Sequence, residues 1–201
     1  MTAPGVLLYR PPHARDEATA RVGMLLFLGS WAMMFAGLFF ALGVVRWRSP
    51  MWPPEEVGPL PVGWAALNTV LLVGSSLLLE MALRSVRSGR LGRMTAALGA
   101  ALAVGVAFVA SQVGLFVRMA DLGLRWDAGA FGGAVFGLCG FHALHAAVGL
   151  VGLAAVLLAA GRGALQPGRH LRLRLWTQYW HFVGVVWLIL FPAVFAGGRG
   201  G

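Results

Sequence analysis

Lysine is missing altogether from these 201 residues, and cysteine occurs once, at Cys139. The lone thiol excludes an internal disulfide and says little about redox compartment. All 16 basic residues are therefore Arg, and nearly all of them lie between apolar runs. Charge is scarce: charged residues make up 11% of the chain, against 59% hydrophobic residues and a mean hydropathy of +0.78. No separate water-soluble domain of ordinary size fits into such a composition. A pI near 11.7 with so few charges reports where the arginines sit, not a nucleic-acid surface. Acid/base pairs, a nucleophile elbow, a phosphate loop, repeats of fixed period and low-complexity tracts are absent too.

What the chain does have is a series of apolar runs of roughly twenty residues, each long enough to cross a hydrocarbon core of about 30 Å. Five spans are expected: Val22–Val45, Val62–Leu83, Met94–Val117, Phe131–Ala160 and Leu175–Ala196. In lipid, backbone groups need an internal hydrogen-bond ladder, and the alternating pattern of a barrel strand is missing, so the runs read as helices. The sequence thus predicts an all-α integral membrane bundle of five transmembrane helices over residues 22–201. The fourth span exceeds what a crossing needs and should tilt or project. Met1–Arg21 lacks a short apolar core followed by a small-residue cleavage site and reads as a retained tail.

The arginines give sidedness. Eleven lie before span one, between spans two and three, and between spans four and five; the opposite side has five, Arg46, Arg48, Arg118, Arg125 and Arg199. The richer side is expected to be cytoplasmic, which puts the N-terminus inside and the C-terminus outside. Trp47, Trp52, Trp64 and Trp126 fall near the outer boundary, where amphipathic rings are at home. Ser49-Pro50-Met51-Trp52-Pro53-Pro54 reads as an ordered outer loop, either a rigid connector or a docking element. In span four, Gly132, Gly133, Gly137, Gly140, Gly149 and Gly152 offer small-residue spacings for close helix packing.

Polar groups inside the spans are few, and each calls for a partner or a cavity. Glu80 and Arg84 are four apart near the arginine-rich side, a spacing for an interfacial ion pair; a proton-carrying carboxylate is the second reading. Asn68, Ser75 and Ser76 on span two, with Ser111 and Gln112 on span three, are expected to hydrogen-bond between helices. Tyr179-Trp180-His181 opens span five, and its two rings suit a membrane–water boundary. His142 and His145, three apart, share a face of span four. A haem would need His181 opposite one of them. At about 1.5 Å per residue, His181 lies roughly 10 Å in from Arg174 and His145 roughly 25 Å in from Arg162, so their depths differ. Carboxylate or thiolate company for a metal is also lacking nearby. The histidines are expected instead to meet backbone, Gln112 or lipid headgroups. No catalytic, cofactor or metal ligand is expected on this chain; a small b-type cytochrome remains a distant alternative.

The residues also carry a resemblance. Gly140-Phe141-His142-Ala143-Leu144-His145, followed by Tyr179-Trp180-His181-Phe182-Val183-Gly184-Val185-Val186-Trp187, is similar to the paired signature of subunit III of the haem-copper oxidases. Gly23-Met24-Leu25-Leu26-Phe27, Trp52-Pro53-Pro54, Leu67-Asn68-Thr69 and Gln112 resemble further landmarks of that family, in the right order, from Val22 to the end. The five spans resemble its shorter bacterial form, without two leading helices. Three positions depart from the family pattern: Trp31, Leu115 and Gly184 stand where carboxylates are usual. The resemblance implies a non-catalytic subunit in a bacterial cell membrane that packs against catalytic subunit I. Haem and copper would belong to that partner. It also implies bound structural phospholipid, for which His142, His145, His181, Trp180, Gln112, Asn68 and Trp52 are candidate lipid or interface contacts. An accessory protein of a nitric-oxide reductase is the alternative within the family, and nucleic acid is not an expected partner.

Overall fold

The computed structural model describes residues 12–49, 51–52, 57–127 and 129–196, with side chains from residue 16 onward. Pro50, Pro53, Pro54, Arg10 and Arg199, which entered the loop and sidedness expectations, lie outside the described residues, as does the side chain of Arg15. Five helices follow in order: α1 Pro12–Arg48, α2 Val62–Arg87, α3 Leu91–Asp121, α4 Gly129–Gly161 and α5 Leu171–Phe195. All five are long and apolar enough to cross a membrane, and the chain is a multi-pass membrane protein. The helices outrun the apolar segments. At 37 residues, α1 would reach about 55 Å, so its first turns extend past any hydrocarbon core.

Local chemistry explains where helices stop. Hydropathy falls at the arginines, yet a helix persists until its last carbonyls find other donors. In α2 the left-handed Gly89, with φ 73°, ends it: Gly89 N–H bonds Val86 O and Arg90 N–H bonds Ser85 O. This is a Schellman motif, and a side chain at Gly89 would strain that backbone. The same pair of bonds closes α3 through Gly123 and Leu124, and α4 through Gly163 and Ala164. Each hairpin is therefore short, and successive helices return antiparallel.

Helices α2, α3, α4 and α5 form a closed ring, each touching the next and α5 returning to α2, while α1 lies outside against α4 and α5 only. Its contact line is aromatic: Phe27, Trp31 and Phe35, four apart, meet Tyr179, His145 and Phe182. The opposite face presents Leu26, Met33, Phe40 and Trp47, seven apart and exposed.

One end of α5 breaks the capping rule. Pro192 sits in its last turns, and its C-cap Ala196 is extended. Arg46 of α1 supplies the donors, with Nη1 bonding Ala193 O at 3.0 Å and Nη2 bonding Ala196 O at 2.8 Å. Trp52 Nε1 bonds Val194 O at 3.2 Å, and the Arg46 guanidinium lies 4.9 Å above the Trp52 ring. A cation at a helix C-terminus also meets the favourable end of its dipole. Replacing Arg46 by Met should cost about 1–2 kcal/mol in detergent unfolding and increase proteolysis of the 49–61 connection. Unchanged stability and cleavage would show the cap to be incidental.

Candidate functional site

Polar side chains at membrane depth converge on the middle of the ring, and most of them tie helices together. Asn68 of α2 donates from Nδ2 to Gln112 Oε1 of α3 at 2.8 Å, and Ser111 donates to Asn68 Oδ1. Trp64 Nε1 donates to Ser111 Oγ at 2.8 Å, completing a four-residue chain across the α2–α3 seam. The Trp64 ring lies over Gly114, where a Cβ would come within 2.8 Å of it. Gln112 Oε1 takes its bond from Asn68 rather than from a histidine, and Gln112 Nε2 has no hydrogen-bond partner among the described residues.

Trp180 of α5 reaches three other helices. It is fully buried in the bundle, and Tyr179 is 2% exposed. Both rings face protein rather than lipid headgroups. Cβ atoms added at Gly105 of α3 and Gly149 of α4 would approach the Trp180 ring to 3.1 and 2.8 Å. The indole therefore needs two side chains to be absent. Its Nε1 donates to Ser75 Oγ of α2 at 2.8 Å. One residue of α5 thus contacts α2, α3 and α4. Next to it, Tyr179 donates to the backbone carbonyl of His145 at 3.0 Å, and Trp176 fills the space over Gly152. Farther along α5, Trp187 Nε1 donates to Thr69 Oγ1 at 2.9 Å.

The glycines of α4 therefore divide. Gly149 and Gly152 receive rings rather than a neighbouring backbone, while Gly137 and Gly140 face open space. A Cβ at Gly133 would lie 3.7 Å from the backbone oxygen of Trp126.

The three histidines go to three places. His142 is fully buried between Phe108 of α3 and Trp187 of α5, with ring centroids at 6.1 and 5.3 Å. Neither of its nitrogens has a hydrogen-bond partner among the described residues, a costly arrangement in an apolar interior. His145 Nδ1 contacts Phe141 O one turn back, and its ring meets Trp31 edge-on at 3.9 Å. Trp31 thus puts an indole where the resemblance has a carboxylate, which makes this contact an aromatic one. His181 instead lines a groove between α2 and α5 with Glu80. Arg84 Nε is 3.4 Å from Glu80 Oε1, an exposed pair of small energetic weight. Among the described residues, no three His, Cys, Asp or Glu side chains gather into a metal-binding group.

At the opposite end, Trp47 and Trp126 are exposed, whereas Trp52 is 9% exposed, edge-on to Phe131 at 4.6 Å. Arg125 hydrogen-bonds Asp127 at 3.1 Å and holds its carboxyl below the usual carboxylate range.

Sequence reasoning foresaw that Asn68, Ser75, Ser111 and Gln112 would bond between helices; Ser76, expected to do the same, lines the groove between α2 and α5 instead, and Gly105, Gly114, Trp176 and Arg46 were missed. Glycine opposite tryptophan across two helices is the signal, and one sequence cannot show which glycine faces which ring.

The arrangement defines a class: a multi-pass helical membrane subunit whose interior polar groups serve helix association. Its family follows from comparison. Residues 13–199 match the family model of cytochrome c oxidase subunit III. The chain is 31% identical over 178 residues to cytochrome c oxidase subunit 3 of Synechocystis sp., covering 86% of this chain and 73% of that protein. Against the protein of the same name from Thermostichus vulcanus it is 30% identical, covering 91% and 90%. Against that of Sus scrofa it is 32% identical, covering 89% and 69%. The chain belongs to the cytochrome c oxidase subunit III family.

The geometry predicts graded losses around Trp180. Trp180→Phe, which keeps a ring but loses the bond to Ser75, should cost about 1 kcal/mol. Gly149→Val, which drives a side chain into that ring, should cost about 1–3 kcal/mol or more. Detergent unfolding of the purified protein reads both, and equal stability of all three forms would remove Trp180 from its central place.

Proposed function

We propose that this chain is the non-catalytic subunit III of a respiratory haem-copper terminal oxidase in a bacterial cell membrane, set against catalytic subunit I. The family membership over nearly the whole chain supports this reading. The carrying observation from the geometry is the use of interior polar groups, Asn68, Gln112, Ser75 and Trp180, for helix-to-helix bonds. A subunit built in that way braces a neighbour; electron transfer to oxygen and its haem and copper sites are assigned to subunit I. The arginine-rich end faces the cytoplasm in this reading, so α1 enters from inside and α5 ends outside. The exposed line Leu26, Met33, Phe40 and Trp47 gives α1 an apolar face for lipid or for another subunit. Phospholipid held against the bundle is part of the same proposal.

Association with a nitric-oxide reductase has no specific observation in its favour. A b-type cytochrome fares no better, since His142 packs between two rings and His181 lines a different seam.

Purification through a tag on this chain should bring down a large subunit carrying haem and copper. A chain that purifies alone with stoichiometric iron, or with a reductase subunit, would overturn the proposal. His142→Leu with His145→Leu should lower the yield of assembled complex and leave the haem spectrum of the surviving enzyme unchanged. A lost or shifted haem band would make those histidines ligands.

A further inference from the structure

Helix α1 is the least enclosed of the five. Only 11% of its most apolar stretch is buried, against 28–44% in the other four. Its free face nevertheless has an order of its own. Leu26, Met33, Phe40 and Trp47 stand 71–91% exposed at intervals of seven. Gly29, Ala36 and Gly43 fall between them, also seven apart and also exposed. Bulky and small positions thus alternate, at steps of three and four, from residue 26 to residue 47. That is a rise of about 32 Å, the full depth of a hydrocarbon core. A Cβ at Gly29 or Gly43 would meet nothing within 4 Å. Toward Arg48 the face opens into a groove of about 440 Å³ lined by Phe40, Gly43, Val44, Trp47 and Arg48.

The repeat decides between lipid and protein as the cover. Acyl chains conform to any apolar surface and give no reason for a side chain to be small at every seventh position. A straight helix drifts about 20° per heptad from a 3.5-residue repeat. A face that keeps the repeat over three heptads therefore follows a neighbouring helix that winds along it in a left-handed crossing. The bulky residues enter the neighbour's grooves, and Gly29, Ala36 and Gly43 receive the neighbour's side chains.

Charge chooses the neighbour. Arg48 is exposed and, unlike Arg46, makes no hydrogen bond or ion pair among the described residues. A second copy related by a two-fold axis along the membrane normal would set Arg48 against Arg48, like charges at a low-dielectric boundary. A helix with a carboxylate at that level satisfies the guanidinium instead. We propose that the outer face of α1 seats one transmembrane helix from a different chain of the complex, crossing at about 20° and bearing an Asp or Glu opposite Arg48. Such a seat presupposes the subunit reading above and specifies which face the neighbour takes.

The test puts the photo-cross-linking residue p-benzoylphenylalanine in place of Met33 or of Phe40 and irradiates native membranes before the tagged complex is purified. Peptide mass spectrometry should find both positions joined to one apolar segment of one other chain, at points about seven residues apart. Gly43→Leu, which fills the groove, and Arg48→Glu, which reverses its charge, should each lower recovery of that chain about tenfold, whereas Arg48→Lys should keep it. Adducts to lipid alone, or to a second copy of this chain, would overturn the seat. So would full recovery of the neighbour with both Gly43→Leu and Arg48→Glu. The cross-links decide the matter by themselves if Gly43→Leu does not fold. A chain that cross-links to another protein's helix but brings down no haem-carrying subunit fails the oxidase reading and leaves the seat standing. An assembled oxidase with lipid alone at both positions does the reverse.

Discussion

The indole of Trp180 is the contact on which this bundle turns. In lipid, helices gain no hydrophobic advantage by leaving the acyl chains for one another, so association rests on shape and on hydrogen bonds. Trp180 provides both at once: a large ring lodged where Gly105 and Gly149 have no side chains, and an N–H on Ser75. Because it projects from α5 into three other helices, it fixes their relative rotation as well as their spacing. The remaining ties, Asn68 to Gln112 and Trp187 to Thr69, work within a ring already registered by this residue.

From this follows a division of labour. The ring of α2–α5 carries the buried hydrogen bonds, whereas α1 is held from outside by edge-on ring contacts and by Arg46 at one end. Trp31 contributes its indole to that outer seam. The groove between α2 and α5 has the opposite character: it is lined by Val73, Leu77, Val185 and Leu188 together with Thr69, Ser76, Glu80 and His181.

Much of the fold was legible in the residues themselves. Five apolar runs with arginine seams specify five spans, because hydropathy and charge act locally and cannot be hidden by packing. The α2–α3 hydrogen bonds were legible for the same reason: Asn68 and Gln112 stand out against apolar neighbours, and burial forces them to pair. Trp180 was not legible, since tryptophan is equally at home at a bilayer boundary and in a glycine-lined notch. Which one it occupies depends on Gly105 and Gly149, 75 and 31 positions away in the chain. The helix ends ran beyond the apolar stretches because capping, not hydropathy, stops a helix. The cap of α5 by Arg46 joins residues 147 and 150 apart, a pairing no local pattern encodes.

The placement of α1 has a consequence for biosynthesis. It is made before α2–α5, yet the helices it packs on, α4 and α5, are the last two of the five. During translation it must wait in the bilayer while the α2–α3 hairpin forms without it. The five helices therefore close from α5 backward onto α1, and a ribosome that stalls before α5 leaves α1 stranded for quality-control proteases to find.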